Sequence, residues 1–241
     1  MNQFAVITPV PNVIDILIQN SIIKKVIERK VLSLKIINLR QYGLGKHKQI
    51  DDTPFGGGGG MILKPEPLFN AIDVAINWMK DNEDIRVVLP SPVGKNWNQN
   101  SAQKLSKKNK IILICGHYKG IDERVVEQYV TDQYSIGDFI MTSGEIPAMM
   151  IMDSIVRLIP GALNNLQSVL NDSFSHHLLD HPHYTNPREF REKYVPDILL
   201  SGNHRNIDKW RLDQRERRTM NYRPDLWGKY IKIKESENNN E

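Results

Sequence analysis

The chain has 241 residues, 40% of them hydrophobic, and a formal net charge of +4 from 32 basic and 28 acidic side chains. That length accommodates one large domain plus a smaller module. No apolar run reaches the roughly 18 residues of a membrane span, and the single Cys115 excludes an internal disulfide and a cysteine-based zinc site, which fits a reducing, cytoplasmic setting.

Met1–Thr8 contains the apolar run Phe4–Ile7 and lacks a basic leader region, so it reads as a first strand. Val13–Gln19 and Ser21–Lys30 carry helical spacing, and Leu34–Leu39 reads as a strand. Gly56–Gly60 is a run of five glycines. No Gly-Lys-Ser/Thr follows it, so it is not a phosphate-binding P-loop. It is either a flexible loop or a bare backbone that a ligand approaches closely. Pro65–Lys80 predicts a helix with proline at its start, and Gln99–Lys108 a connecting helix. Arg86–Leu89 and Ile111–Cys115 are continuous apolar runs of the kind found in buried parallel strands. The alternation predicts an α/β domain with a mostly parallel sheet. Ser91–Gly94 and Gly116–Arg124 then fall at strand ends, where such sheets bind ligands, or are ordinary strand-to-helix turns.

Ser135–Pro147 adds a third Gly-containing segment. Ala148–Ile159 is an apolar helix carrying Arg157, and Leu163–Asp172 reads as a polar linker. Arg157 is a candidate charge stabiliser or the partner of a structural ion pair with Asp153; Asp172 is a candidate base. Together they point to a transferase acting on an ionisable acceptor. Further on, His176, His177, His181 and His183 surround Asp180 in a spacing that matches no standard zinc motif, so exposed loop histidines are expected. A helix is predicted over Asn206–Met220, and Lys232–Glu241 is expected to fray.

The charge excess is local. Asn203–Arg223 holds seven basic and three acidic residues, and the remainder holds 25 of each. A confined basic stripe is the footprint of a polyanion partner. Arg211, Arg215 and Arg218 share one helical face. Trp210, Tyr222 and Trp227 are either stacking platforms for unpaired bases or the core of a small module.

Taken in order, the motifs resemble one family, the bacterial tRNA (guanine-N1)-methyltransferases of the knotted SPOUT class. The matching blocks include Asp51-Asp52-x-Pro54-Phe55-Gly56-Gly57-Gly58-x-Gly60-Met61, Ser91-Pro92-x-Gly94 and Cys115-Gly116-x-Tyr118-x-Gly120-Ile121-Asp122-Glu123-Arg124. They continue with Ser135-Ile136-Gly137-Asp138, Gly144-Glu145-Ile146-Pro147, Asp172-Ser173-Phe174, Leu179-Asp180-x-Pro182-His183-Tyr184-Thr185 and Leu199-Leu200-Ser201-Gly202-Asn203-His204.

The resemblance implies an α/β SPOUT-type parallel sheet with a deep trefoil knot, plus a small, mostly helical C-terminal domain. The expected boundaries are a knotted domain over 1–162, a flexible linker over 163–175 and a tRNA-binding domain over 176–241. It implies methyl transfer from S-adenosylmethionine to N1 of the guanosine 3′ of the anticodon, with magnesium in attendance. The implied cofactor residues are Pro92, Gly94, Gly116, Tyr118, Ile136, Gly137, Asp138, Phe139, Ile140, Met141, Gly144 and Pro147. Asp172 and Arg157 match the family's base and charge stabiliser. Arg211, Arg215, Arg218 and His183 are the expected tRNA contacts, in a homodimer whose active sites are shared between subunits.

Lys119 stands where this family more often has Glu, Ser143 where Gly is common, Gly59 where Pro often appears, and Leu89-Pro90 replaces a more typical Tyr-Leu. The competing readings are another SPOUT methyltransferase acting on ribosomal RNA or a ribose hydroxyl, a non-catalytic RNA-binding module, and, weakest, a metal hydrolase built on the histidines.

Overall fold

A computed structural model describes residues 1–80, 83–163 and 172–238. It divides into two compact units, Met1–Asn164 and Asn165–Glu241.

The first unit begins with β1 (Asn2–Thr8), α1 (Pro11–Gln19), α2 (Ile22–Glu28) and β2 (Leu32–Asn38). Ser21 caps α2 by accepting a hydrogen bond from the Ile23 amide, and proline opens α1. A small antiparallel pair, β3 (Asp51–Asp52) and β4 (Ile62–Leu63), flanks the glycine run and leads into α3 (Pro65–Trp78). Then come β5 (Ile85–Asn96), α4 (Gln99–Ser106), β6 (Lys110–Ile114), α5 (Glu123–Tyr129), β7 (Asp132–Ser135) and α6 (Glu145–Val156). Five strands form one sheet in the order β2-β1-β6-β5-β7, and every pairing within it is parallel.

The continuous apolar runs are explained by helices on both faces. Phe4 and Val6 of β1, with Ile111 and Leu113 of β6, join a core shared with α1, α2 and α6. The alternate residues Ala5, Ile7, Ile112 and Ile114 join a second core beneath α3 and α5. A strand buried on both sides loses the polar alternation that marks a half-exposed one.

Two readings change. Ser91–Gly94 was expected as a turn after a short strand, but the extended chain continues to Asn96. Tyr134 of β7 pairs with both Pro90 and Lys95, so the residues between form a bulge looping out of the ladder. Of the tail expected to fray from Lys232, the described part is helical to Asn238, and 239–241 lie outside the described residues.

The second unit contains a hairpin, β8 (Glu189–Phe190) with β9 (Lys193–Tyr194), and two helices, α7 (His204–Tyr222) and α8 (Pro224–Asn238). Asn203 caps α7. Glu216 of α7 accepts from the Tyr230 hydroxyl at 2.6 Å and from Lys234 at 3.1 Å, which holds α8 against it. Leu178, Ile207, Thr219 and Leu226 form its small buried interior. Of the expected linker, 164–171 lies outside the described residues.

Candidate functional site

A cleft of about 450 Å³ opens at the carboxyl ends of β5, β6 and β7, within the usual range for small-molecule sites. Its walls are the β5 bulge, the loop after β6 and the segment between β7 and α6. Pro92 lines it from the bulge, and Gly116 and Tyr118 line it from the loop. Ile136, Gly137, Phe139, Ile140, Met141, Gly144 and Pro147 line it from the third wall. Two of the expected cofactor residues do not reach it. Asp138 is exposed outside the lining. Gly94 turns into a neighbouring groove, where a Cβ would stand 2.4 Å from the Gln133 carbonyl carbon.

Glycine is needed in the third wall for two separate reasons. Gly137 has φ +141°, a conformation side chains rarely adopt, and the Ser135 hydroxyl bonds both its amide and its carbonyl. Gly144 is required by proximity: its amide donates to the Gly116 carbonyl at 2.8 Å, and a Cβ would lie 2.5 Å from the Gly116 nitrogen.

Behind these walls lie Glu145 and Thr8, joined to His117, which itself lines the cleft; sequence reasoning did not single out this group. Glu145, the first residue of α6, is 1% exposed. Its carboxylate accepts from Thr8 Oγ1 at the end of β1, and His117 Nε2 lies 2.8 and 2.9 Å from its two oxygens. An ionised carboxylate only accepts, so Nε2 carries the hydrogen. Burial alone would push the Glu145 carboxyl up. Hydrogen bonds from His117, Thr8 and Ser143, with the charge of His117, outweigh it and hold the group below the usual carboxylate range. Burial, with a smaller contribution from the same carboxylate, pushes the Cys115 thiol well up. The signal for this group was present in the block Gly144-Glu145 but has no local meaning without Thr8 and His117. On the opposite side, burial and a hydrogen bond to Asp51 raise the Tyr118 hydroxyl. Lys119, exposed in the cleft wall, runs its side chain past Gly60 of the glycine run.

Arg157 is the C-cap of α6 and half-buried, its amide bonded to the Asp153 carbonyl. A cation there faces the negative end of the helix dipole. Asp172 is half-buried at the start of the described part of the second unit. In that unit Arg211 pairs with Asp208 at 3.2 Å, Arg215 is half-buried with its Nε donating to the Leu179 carbonyl, and Arg218 is exposed. Trp210 and Trp227 are half-buried; Tyr222 is 72% exposed. His183 is exposed and lies 2.9 Å from Asp180, which is also close to His181. Burial tends to raise the Asp180 carboxyl, but these histidines and the His181 amide hold it below its ordinary value.

Among the described residues this Asp180–His181–His183 group is the one cluster of three whose ligand atoms could meet at an ion. Two imidazoles and one carboxylate suit zinc-like ions, not magnesium, which favours oxygen ligands. No described helix is long and apolar enough to cross a membrane.

Comparison with known proteins covers nearly the whole chain. The profile of the family described as tRNA (Guanine-1)-methyltransferase TrmD matches residues 2–229. A tRNA (guanine-N(1)-)-methyltransferase of Staphylococcus carnosus is 50% identical over 234 residues, 96% of this chain and 93% of its own length. Proteins of the same name from Staphylococcus haemolyticus and Staphylococcus aureus are 49% and 50% identical, each covering 93% of this chain and 90% of their own. With a parallel α/β sheet, a cleft at its carboxyl edge and a match over nearly the whole chain at this identity, the chain belongs to the tRNA (guanine-1)-methyltransferase family.

Proposed function

We propose that the protein transfers a methyl group from S-adenosylmethionine to N1 of the guanosine immediately 3′ of a tRNA anticodon. The observation that carries this reading is the 50% identity over 96% of the chain to a tRNA (guanine-N(1)-)-methyltransferase. The cleft suits the donor. Phe139 and Ile140 offer exposed apolar surface, the glycines admit close backbone approach, and the space beside Gly116 is open. When bound, the donor supplies the methyl group and a thioether leaving group, so the protein needs no covalent intermediate.

What remains for the protein is a proton. N1 of guanine carries one at neutral pH, and it must leave before or during attack. Asp172 is assigned as the base. An ordinary Asp carboxyl has a pKa of about 3.9, so it can take this proton only if the charge developing on the purine is stabilised. Arg157 is assigned that role, at O6.

In this reading the cleft-bearing unit carries the family's trefoil knot, and the second unit is the tRNA-binding domain. The charge excess within Asn203–Arg223 supports the second assignment. The homodimer is supported by unpartnered apolar surface. Helices α1 and α6 pack together yet leave Val13, Ile16, Leu17, Ile146 and Met150 between 39% and 63% exposed.

The test is methyl transfer to two tRNA transcripts, one with guanosine beside the anticodon and one with adenosine there. Methylation of the first alone is expected. Equal methylation of both, or of neither, refutes the assignment.

A further inference from the structure

Among the described residues, four polar or charged side chains are buried, and three of them, Thr8, Ser135 and Glu145, sit at the carboxyl edge of the sheet around the cleft. Glu145 is the costly one. Taking a carboxylate out of water is strongly unfavourable, and apolar residues of similar volume would usually stabilise the fold as well or better. Here it collects hydrogen bonds from two distant places in the chain: Thr8, 137 residues away, and His117, 28 residues away. Its place at the start of α6 adds the positive end of the helix dipole. The backbones of His117 and Ser143 form a bridge above it, and Gly144 bonds Gly116 beside it. His117 and both its flanking residues, Gly116 and Tyr118, line the cleft.

We propose that Glu145 and His117 are positioning residues for the methyl donor: their bond locks the loop Gly116–Gly120 against Ser143–Pro147, fixing the separation of two cleft walls. This rests on reading the cleft as the donor site. Glu145 is not among the lining residues and touches no ligand; it acts through His117 and the backbone.

The experiment is calorimetric titration of S-adenosylmethionine into the full chain and into Glu145→Leu, which removes the acceptor, His117→Ala and the double variant, with thermal unfolding of each. Losing one hydrogen bond to a charged group should weaken donor affinity about tenfold in either single variant. The double variant should lose no more than the singles, because one bond is broken in all three. His117→Arg keeps a donor facing the carboxylate and should restore most of the affinity. A carboxylate that contributed only to stability would lower the melting temperature without this coupling in affinity. Unchanged affinity in the singles, or losses that multiply in the double variant, overturns the proposal. Wild-type protein that binds no donor overturns the reading of the cleft itself. If Glu145→Leu does not fold, His117→Ala and His117→Arg carry the test: affinity lost in the first and regained in the second supports the lock, and wild-type affinity in His117→Ala overturns it.

Discussion

Gly144→Ala tests the lock between the cleft walls most directly. The added methyl carbon would stand 2.5 Å from the Gly116 nitrogen, 2.9 Å from the Cys115 Cα and 3.0 Å from the Cys115 carbonyl carbon. All three are backbone atoms at the end of the central strand β6, with no flexible side chain to swing away. Ordinary contact begins at 3.4 Å, so the two segments must part by about 0.9 Å. That movement stretches the 2.8 Å bond from the Gly144 amide to the Gly116 carbonyl beyond hydrogen-bonding range. Overpacking of this kind costs about 1–3 kcal/mol and the lost bond about 1 kcal/mol. The total of about 2–4 kcal/mol should lower the melting temperature of the first unit by roughly 5–15 °C. A displacement near 1 Å at a substrate-holding wall should cost about a hundredfold in turnover. Gly116→Ala separates the two effects, since a Cβ there meets nothing within 4 Å. It should leave the melting temperature unchanged or slightly raised while weakening donor binding measured by calorimetry. A Gly144→Ala protein with wild-type stability and turnover would refute the argument that backbone proximity locks the cleft.

Asp172→Asn should lower methyl transfer by about 10²–10⁴-fold while donor binding, measured separately, stays intact; an Asn variant with full activity would remove Asp172 as the base. Arg218→Ala should weaken tRNA binding in gel shift and reduce the slope of log affinity against log salt by about 1. Arg215→Ala should also destabilise the second unit by about 1–3 kcal/mol, because the Leu179 carbonyl loses its donor. The folded Glu145 carboxyl sits below its ordinary value of 4.5, so the unfolded chain binds the extra proton. Its contribution is therefore complete above that value and drains away as pH falls through the depressed folded one. The difference in melting temperature between wild type and Glu145→Gln should shrink from about pH 6 to about pH 3. A constant difference across that range would contradict an ionised, hydrogen-bonded Glu145.

What could be read from the sequence follows from how local each determinant is. The strands β1 and β6 announce themselves because each is buried on both faces, so four or five consecutive residues must be apolar. The edge strand β7, Asp132-Gln133-Tyr134-Ser135, does not. It pairs only with β5, and what secures it is main-chain pairing plus the Arg86 bond to Asp132 at 2.8 Å, 46 residues away. The bulge in β5 was hidden for the same reason: one residue, Tyr134, meets the strand twice. In the tail, a charged run read as frayed is helical because Lys234 and Tyr230 reach Glu216 on the neighbouring helix.

The cleft divides along the same line. Its walls were legible as glycine-bearing segments in a familiar order, and ten of the twelve residues expected there do line it. The brace behind them was not, since Thr8, His117 and Glu145 acquire meaning only once β1, the loop after β6 and the start of α6 converge. Glycine shows the difference most sharply. Gly116 and Gly144 are the same letter in adjoining walls, yet one faces open space and the other is pressed against backbone. A methyl group on the first should be felt by the ligand, and on the second by the fold.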